Sequence, residues 1–225
     1  MTVRIAESPV RLRIAGMSER RKMNCQALGI LKKSDMNGLD IQLALQCAPF
    51  IGGLKPSNLF ITEKNNLRGA VRLFEQSGLS YFVLLKTQLK TVFLLYDEGA
   101  LGEYVSNGAA ARFLKENGYY NLGLMELLKK CRLRYRQYAS EGAGFPHELG
   151  IFLGYPIDDV AGFIKNGGKN CLYAGYWKVY ADLPAKLSLF KSYENAQLSL
   201  LKMLSEGGSI REIIGSGTTR RRKEG

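Results

Sequence analysis

Two apolar runs, Leu79 to Leu85 and Thr91 to Tyr96, stand on either side of the polar linker KTQLK. Each is too short for a core helix, and neither alternates cleanly between apolar and polar positions. That pattern predicts an antiparallel hairpin lying in the centre of the sheet. The 225 residues suffice for one well-buried core, and helices are expected to pack on this sheet. Helices are expected from Leu39 to about Cys47, where Pro49 and Gly52-Gly53 stop the chain, and from Asn65 to Gln76 with Gly78 beyond it. Leu59 to Ile61 reads as a strand between them. A short helical segment at Leu101 to Val105 and a helix capped by Asn107 follow.

The most regular helix spans Gly123 to about Ser140. Leu124, Leu127, Leu128, Cys131, Tyr135 and Tyr138 form one apolar stripe, flanked by Lys129, Arg132 and Arg136 with Lys130 and Arg134 beyond. A last long helix runs from Pro184 to about Ser205 and ends at Gly207-Gly208. The expected fold is a single α+β domain over residues 38–215, with a mainly antiparallel sheet of about four strands packed with helices. Residues 1–37 read as a weakly ordered extension in which Val10 to Ile14 could form a short strand. Residues 216–225 read as a flexible basic tail.

The net charge of +12 is concentrated at the ends. Residues 1–37 hold eight Lys/Arg against three Asp/Glu, and residues 216–225 hold four against one, which leaves 20 against 16 between. Solvated ends are the ordinary reading of such runs, and phosphate contact is the alternative. No apolar run approaches the ~18 residues of a membrane helix, and the first residues form no apolar block of a secretory signal. A cytoplasmic location is therefore expected. The four cysteines are far apart and form no CxxC pair, so no metal site is predicted and reduced thiols are expected.

Residues 145–180 hold the sole histidine and the sole tryptophan. Pro146 suits the first position of a helix, which places His147 and Glu148 in the first turn, where the dipole favours the carboxylate and a neutral imidazole. Gly154-Tyr155-Pro156 breaks this helix, and a second starts at Ile157 with Asp158 and Asp159 as first-turn acids. HELGIF carries Ile151 where a zincin needs its second histidine, so that chemistry is excluded. Cys171 to Tyr180 reads as an aromatic strand, with Tyr176 and Lys178 on one face and Trp177 on the other.

The segments CAPFIGGLKPSNLF, FPHELGIFLGYPIDDVAGFI and GYWKVYAD resemble a bacterial, largely clostridial family catalogued as domain of unknown function 3793, over about Leu39 to Gly215. The resemblance implies no reaction, but it implies attention to Cys47, Lys55, His147, Glu148, Trp177 and Lys178. It also associates the chain with iron or redox metabolism.

Three functional readings follow. The leading one is small-molecule or partner binding at a cleft formed by the FPHELGIFLGYP and GYWKVY segments, with Lys55, Tyr155, Tyr176, Trp177 and Lys178 as ligand contacts. The second is a thiol enzyme in which His147, with Glu148 beside it, activates Cys47. The third is nucleic-acid binding through the basic ends and the 129–136 helix face. No cofactor is identified, and the partner class stays open between a small molecule and a protein.

Overall fold

A computed structural model describes residues 38–141 and 143–214. The expected N-terminal extension, with its strand at Val10 to Ile14, and the basic C-terminal tail lie outside the described residues. The predicted hairpin is present as β2 (Ser80–Lys86) and β3 (Lys90–Tyr96), and β1 (Ser57–Glu63) pairs antiparallel with the other side of β3. The order β1-β3-β2 makes β3 the centre and β2 an edge, so only one strand of the hairpin takes the central position expected for both.

This placement explains why the two runs lack clean alternation. Val92, Leu94 and Tyr96 of β3 enter one core with Phe82 and Leu84 of β2, while Phe93 and Leu95 enter another with Phe60 of β1. A register shift between Val83 and Leu85 adds to the irregularity in β2. The first core is covered by α3 (Glu98–Ser106), α5 (Leu124–Glu141) and the short α6 (Leu149–Phe152); α4 (Gly108–Glu116) contributes Ala110 and Leu114. The second is covered by α1 (Leu39–Ile51), α2 (Leu67–Gln76) and the C-terminal half of α8 (Leu183–Ser205), with residues 210–214 closing it. No helix among the described residues is long and apolar enough to cross a membrane.

The α+β class and the antiparallel pairing hold, but the strands divide between two sheets. Residues 171–180 do not form one extended strand. They fold back on themselves as a ribbon of β4 (Tyr173–Ala174) and β5 (Lys178–Val179), in which Ala174 faces Lys178 and Tyr173 faces Val179. The expected alternation of faces along this stretch is thereby lost. Trp177, Val179, Phe190 and Tyr193 form a small satellite core between the ribbon and the N-terminal half of α8.

Pro49 does not end α1, which continues to Ile51. A proline inside a helix leaves the carbonyl four residues earlier without its donor. Here Gln197 of α8 donates its side-chain amide to the Leu45 carbonyl at 2.8 Å, so the carbonyl is satisfied from another element.

The elbow between α6 and α7 (Ile157–Lys165) is fixed at three points. Ser57 donates to the Phe152 carbonyl, Tyr104 donates to the Tyr155 carbonyl at 2.7 Å, and Gly154 lies against the Pro56 ring. Gly154 has φ +68°, and a Cβ there would stand 2.6 Å from Pro56 Cδ. Gly154→Ala combines a left-handed backbone with a clash, and a loss of about 2–4 kcal/mol in denaturant unfolding is expected.

Candidate functional site

The chain from Phe145 to Lys165 is a tight helical turn, a four-residue helix and an elbow leading into α7. Leu149 N donates to the Pro146 carbonyl and Gly150 N to that of His147, so the segment starts at Pro146 with three-residue spacing before α6 proper. His147 and Glu148 occupy this first turn as expected, but they point to different surroundings.

Glu148 is buried and accepts from Arg134 of α5 at 2.8 Å and from the Tyr119 hydroxyl at 3.0 Å. Arg134 also donates to the Asn117 carbonyl. The carboxylate expected to serve the helix dipole or a catalyst thus pins α6 to α5. His147 instead lodges between the rings of Phe145 and Phe163, at 5.5 and 5.3 Å between centroids. Its imidazole has no hydrogen-bond partner among the described residues. Burial lowers its pKa below 6.5, and the opposing effect of Glu148 is smaller, so the ring is neutral at physiological pH.

The decisive residue of the site is Asp159, read from the sequence as a first-turn acid. It is buried in α7 and accepts three hydrogen bonds from the ribbon side of the fold. Trp177 Nε1 donates to Oδ2 at 2.7 Å, while the backbone N–H groups of Tyr180 and Ala181 donate to Oδ1 at 2.7 and 3.2 Å. Gly162, one turn further along α7, leaves room for the Tyr180 side chain, whose Cβ would stand 2.5 Å from an added Cβ. Asp158, by contrast, is exposed. The signal for Asp159 was indirect: a buried tryptophan needs an acceptor for its indole N–H, and a nearby buried carboxylate needs donors.

Asp159 thereby sets Trp177 against Tyr155, with the rings stacked at 4.8 Å. A recess of about 40 Å³ opens beside them. Four expected site residues, His147, Tyr155, Trp177 and Lys178, line it together with Phe145 and Phe163. Lys178 donates to the Gly168 carbonyl at 2.5 Å and stands 5.9 Å from the Phe163 centroid.

The other expected contacts lie elsewhere. Tyr176 packs on Phe190 and Tyr193 in the satellite core. Lys55, buried beside β1, donates to Asn58 Oδ1 at 2.9 Å and lies 5.2 Å from the Tyr155 centroid, on a separate open groove of about 430 Å³. Cys47 is buried in the second core, and its thiol contacts are the Leu59 carbonyl at 3.5 Å and Asn58 Nδ2 at 3.6 Å. Phe145 beside His147 packs on the first core, so the sheet stands between the two residues and the structure does not bring them together. Burial pushes the Cys47 thiol up to about 12. Among the described residues, no three His, Cys, Asp or Glu side chains gather in a metal-holding group.

The basic face of α5 is largely engaged by the fold. Lys130 donates to the Gly118 carbonyl, Arg134 bonds Glu148, and Arg132 covers the Phe82 ring at 4.9 Å, which leaves Lys129 and Arg136 exposed.

Two outcomes follow from this geometry. Asp159→Ala strands the Trp177 indole and two backbone donors, and a loss of about 3–5 kcal/mol is expected in urea unfolding, with altered near-ultraviolet dichroism. For His147, the unfolded state takes up a proton near pH 6.5 while the folded state does so only at lower pH. Stability therefore falls as pH drops below about 6.5, and His147→Gln flattens that dependence in melting scans between pH 7.5 and 5.

No curated protein and no solved structure matches the chain. Residues 43–214, most of the chain and all of the site just described, match the family described as Protein of unknown function (DUF3793), and the chain belongs to that family.

Proposed function

We propose that the chain is a cytoplasmic binding protein whose aromatic recess receives a small ligand or the tip of a partner. The observation that carries this reading is that the FPHELGIFLGYP and GYWKVY segments, separated in the chain by α7 and the loop after it, line one recess. Its walls are mostly apolar, with several aromatic rings and few polar groups, the composition of ligand sites in general.

Size narrows the reading. A cavity of about 40 Å³ holds the equivalent of a few waters, far below the roughly 300 Å³ at which sites begin to enclose whole drug-sized ligands. The occupant enters with a terminal group and leaves the remainder at the mouth. The free thiols of Cys47, Cys131 and Cys171 accord with a reducing compartment. Thiol chemistry gains no support, because a thiol near pKa 12 holds almost no thiolate at neutral pH.

Trp177 is the sole tryptophan and forms a wall of the recess, so its emission reports on occupancy. Screening the full chain against compounds of few heavy atoms should yield binders that shift Trp177 emission and the methyl resonances of Leu153 and Val160. Binders that leave all three unmoved would contradict the assignment of the recess.

A further inference from the structure

We propose that the group received by the recess is a small carboxylate, held between the His147 imidazole and the Lys178 ammonium. This inference rests on the recess being the binding site and adds the chemistry of its occupant.

The polar groups at the recess do not balance. Asp159 is the acidic residue of its lining, and its two oxygens already accept three hydrogen bonds from within the fold. Its charge is directed into the protein. His147 and Lys178 are in the opposite condition. The neutral imidazole carries one N–H and one lone pair, neither used by a described residue. The ammonium has three donors and gives one to the Gly168 carbonyl. Spare donors therefore outnumber spare acceptors, and a ligand that completes the set must bring acceptors.

Both residues line the recess and both lie near the Phe163 ring. The imidazole centroid is 5.3 Å from the Phe163 centroid, and Lys178 Nζ is 5.9 Å from the same point. An ammonium already standing over the ring that a cationic ligand would use repels a second cation at short range.

Size and shape then select among anions. The recess accepts a group of few heavy atoms with one apolar side, because Trp177, Tyr155 and Phe163 form its walls. A short carboxylate presents two acceptor oxygens at one end and methylene or methyl groups at the other. A tetrahedral phosphate would turn strongly hydrated oxygens towards those rings, where no donor meets them.

The test uses the full chain with propionate, inorganic phosphate and tetramethylammonium as probes, read by Trp177 emission and by the 15N shifts of the His147 ring. Propionate should shift both signals in a saturable manner, with phosphate and tetramethylammonium silent at equal ionic strength. Lys178→Gln, which retains a donor for the Gly168 carbonyl, should weaken propionate about tenfold or more, while Lys178→Arg should retain it. Unchanged propionate affinity in a folded Lys178→Gln variant would overturn the assignment. Should that variant not fold, the wild-type probes decide alone. Binding of phosphate or tetramethylammonium without propionate overturns the carboxylate and leaves the recess as a binding site. Silence of all three, together with neutral compounds of similar size, removes the recess itself.

Discussion

A single buried carboxylate holds the candidate site together. Asp159 projects from α7 into the ribbon and takes the Trp177 indole hydrogen and two backbone N–H groups, so the ribbon, α7 and the segment leading into α8 meet at one side chain. Burying an ion is unfavourable unless its hydrogen-bonding capacity is met from within, and here three donors meet it. Once Trp177 is placed, its ring stacks on Tyr155 and packs edge-on against Phe190 at 4.7 Å, which seats the satellite core. The recess is the space left beside that arrangement. Its position follows from the anchor rather than from the main sheet.

The sheet serves as a partition. Its two faces bury separate cores, one reaching the FPHE turn through α5 and α6, the other packing α1 and the end of α8. Polar groups that join elements are correspondingly specific. The Glu148 carboxylate bonded by Arg134 and Tyr119 joins α6 to α5, and the Gln197 amide at the Leu45 carbonyl joins α8 to α1. Each meets a need set by burial: a buried carboxylate requires donors, and a carbonyl opposite a proline requires a substitute for the lost N–H. The same demand has drawn Arg134, Lys130 and Arg132 inward, which reduces what α5 can offer to a nucleic-acid backbone.

Features governed by local periodicity were legible in the sequence. The antiparallel hairpin, the Leu124–Tyr138 stripe and the Gly154-Tyr155-Pro156 elbow all appear, because residue spacing and chain-breaking residues determine them directly. Of the eight residues singled out in the sequence, four, His147, Tyr155, Trp177 and Lys178, share the recess. What escaped depended on partners distant in the chain. Pro49 looks like a stop until Gln197 is known to lie beside Leu45. Asp159 has a complete local explanation as a first-turn acid, which concealed its bond to Trp177. The aromatic stretch alternates like one strand, but Gly175 lies so close to Phe190 that an added Cβ would be 2.4 Å from the ring, and the chain turns back there. Cys47 and His147 carry complementary chemistry, but nothing in their spacing reveals a sheet between them.

The most direct measurement of this account is hydrogen exchange at the Trp177 indole, followed by 1H–15N NMR after transfer to D2O. Trp177 is only 3% exposed and donates to a buried carboxylate, so its indole hydrogen should exchange far more slowly than the amides of the exposed 172–174 segment and be lost only with unfolding of the satellite core. Exchange as fast as in a solvent-exposed indole would mean that Asp159 does not hold Trp177, and the recess built beside that bond would lose its basis.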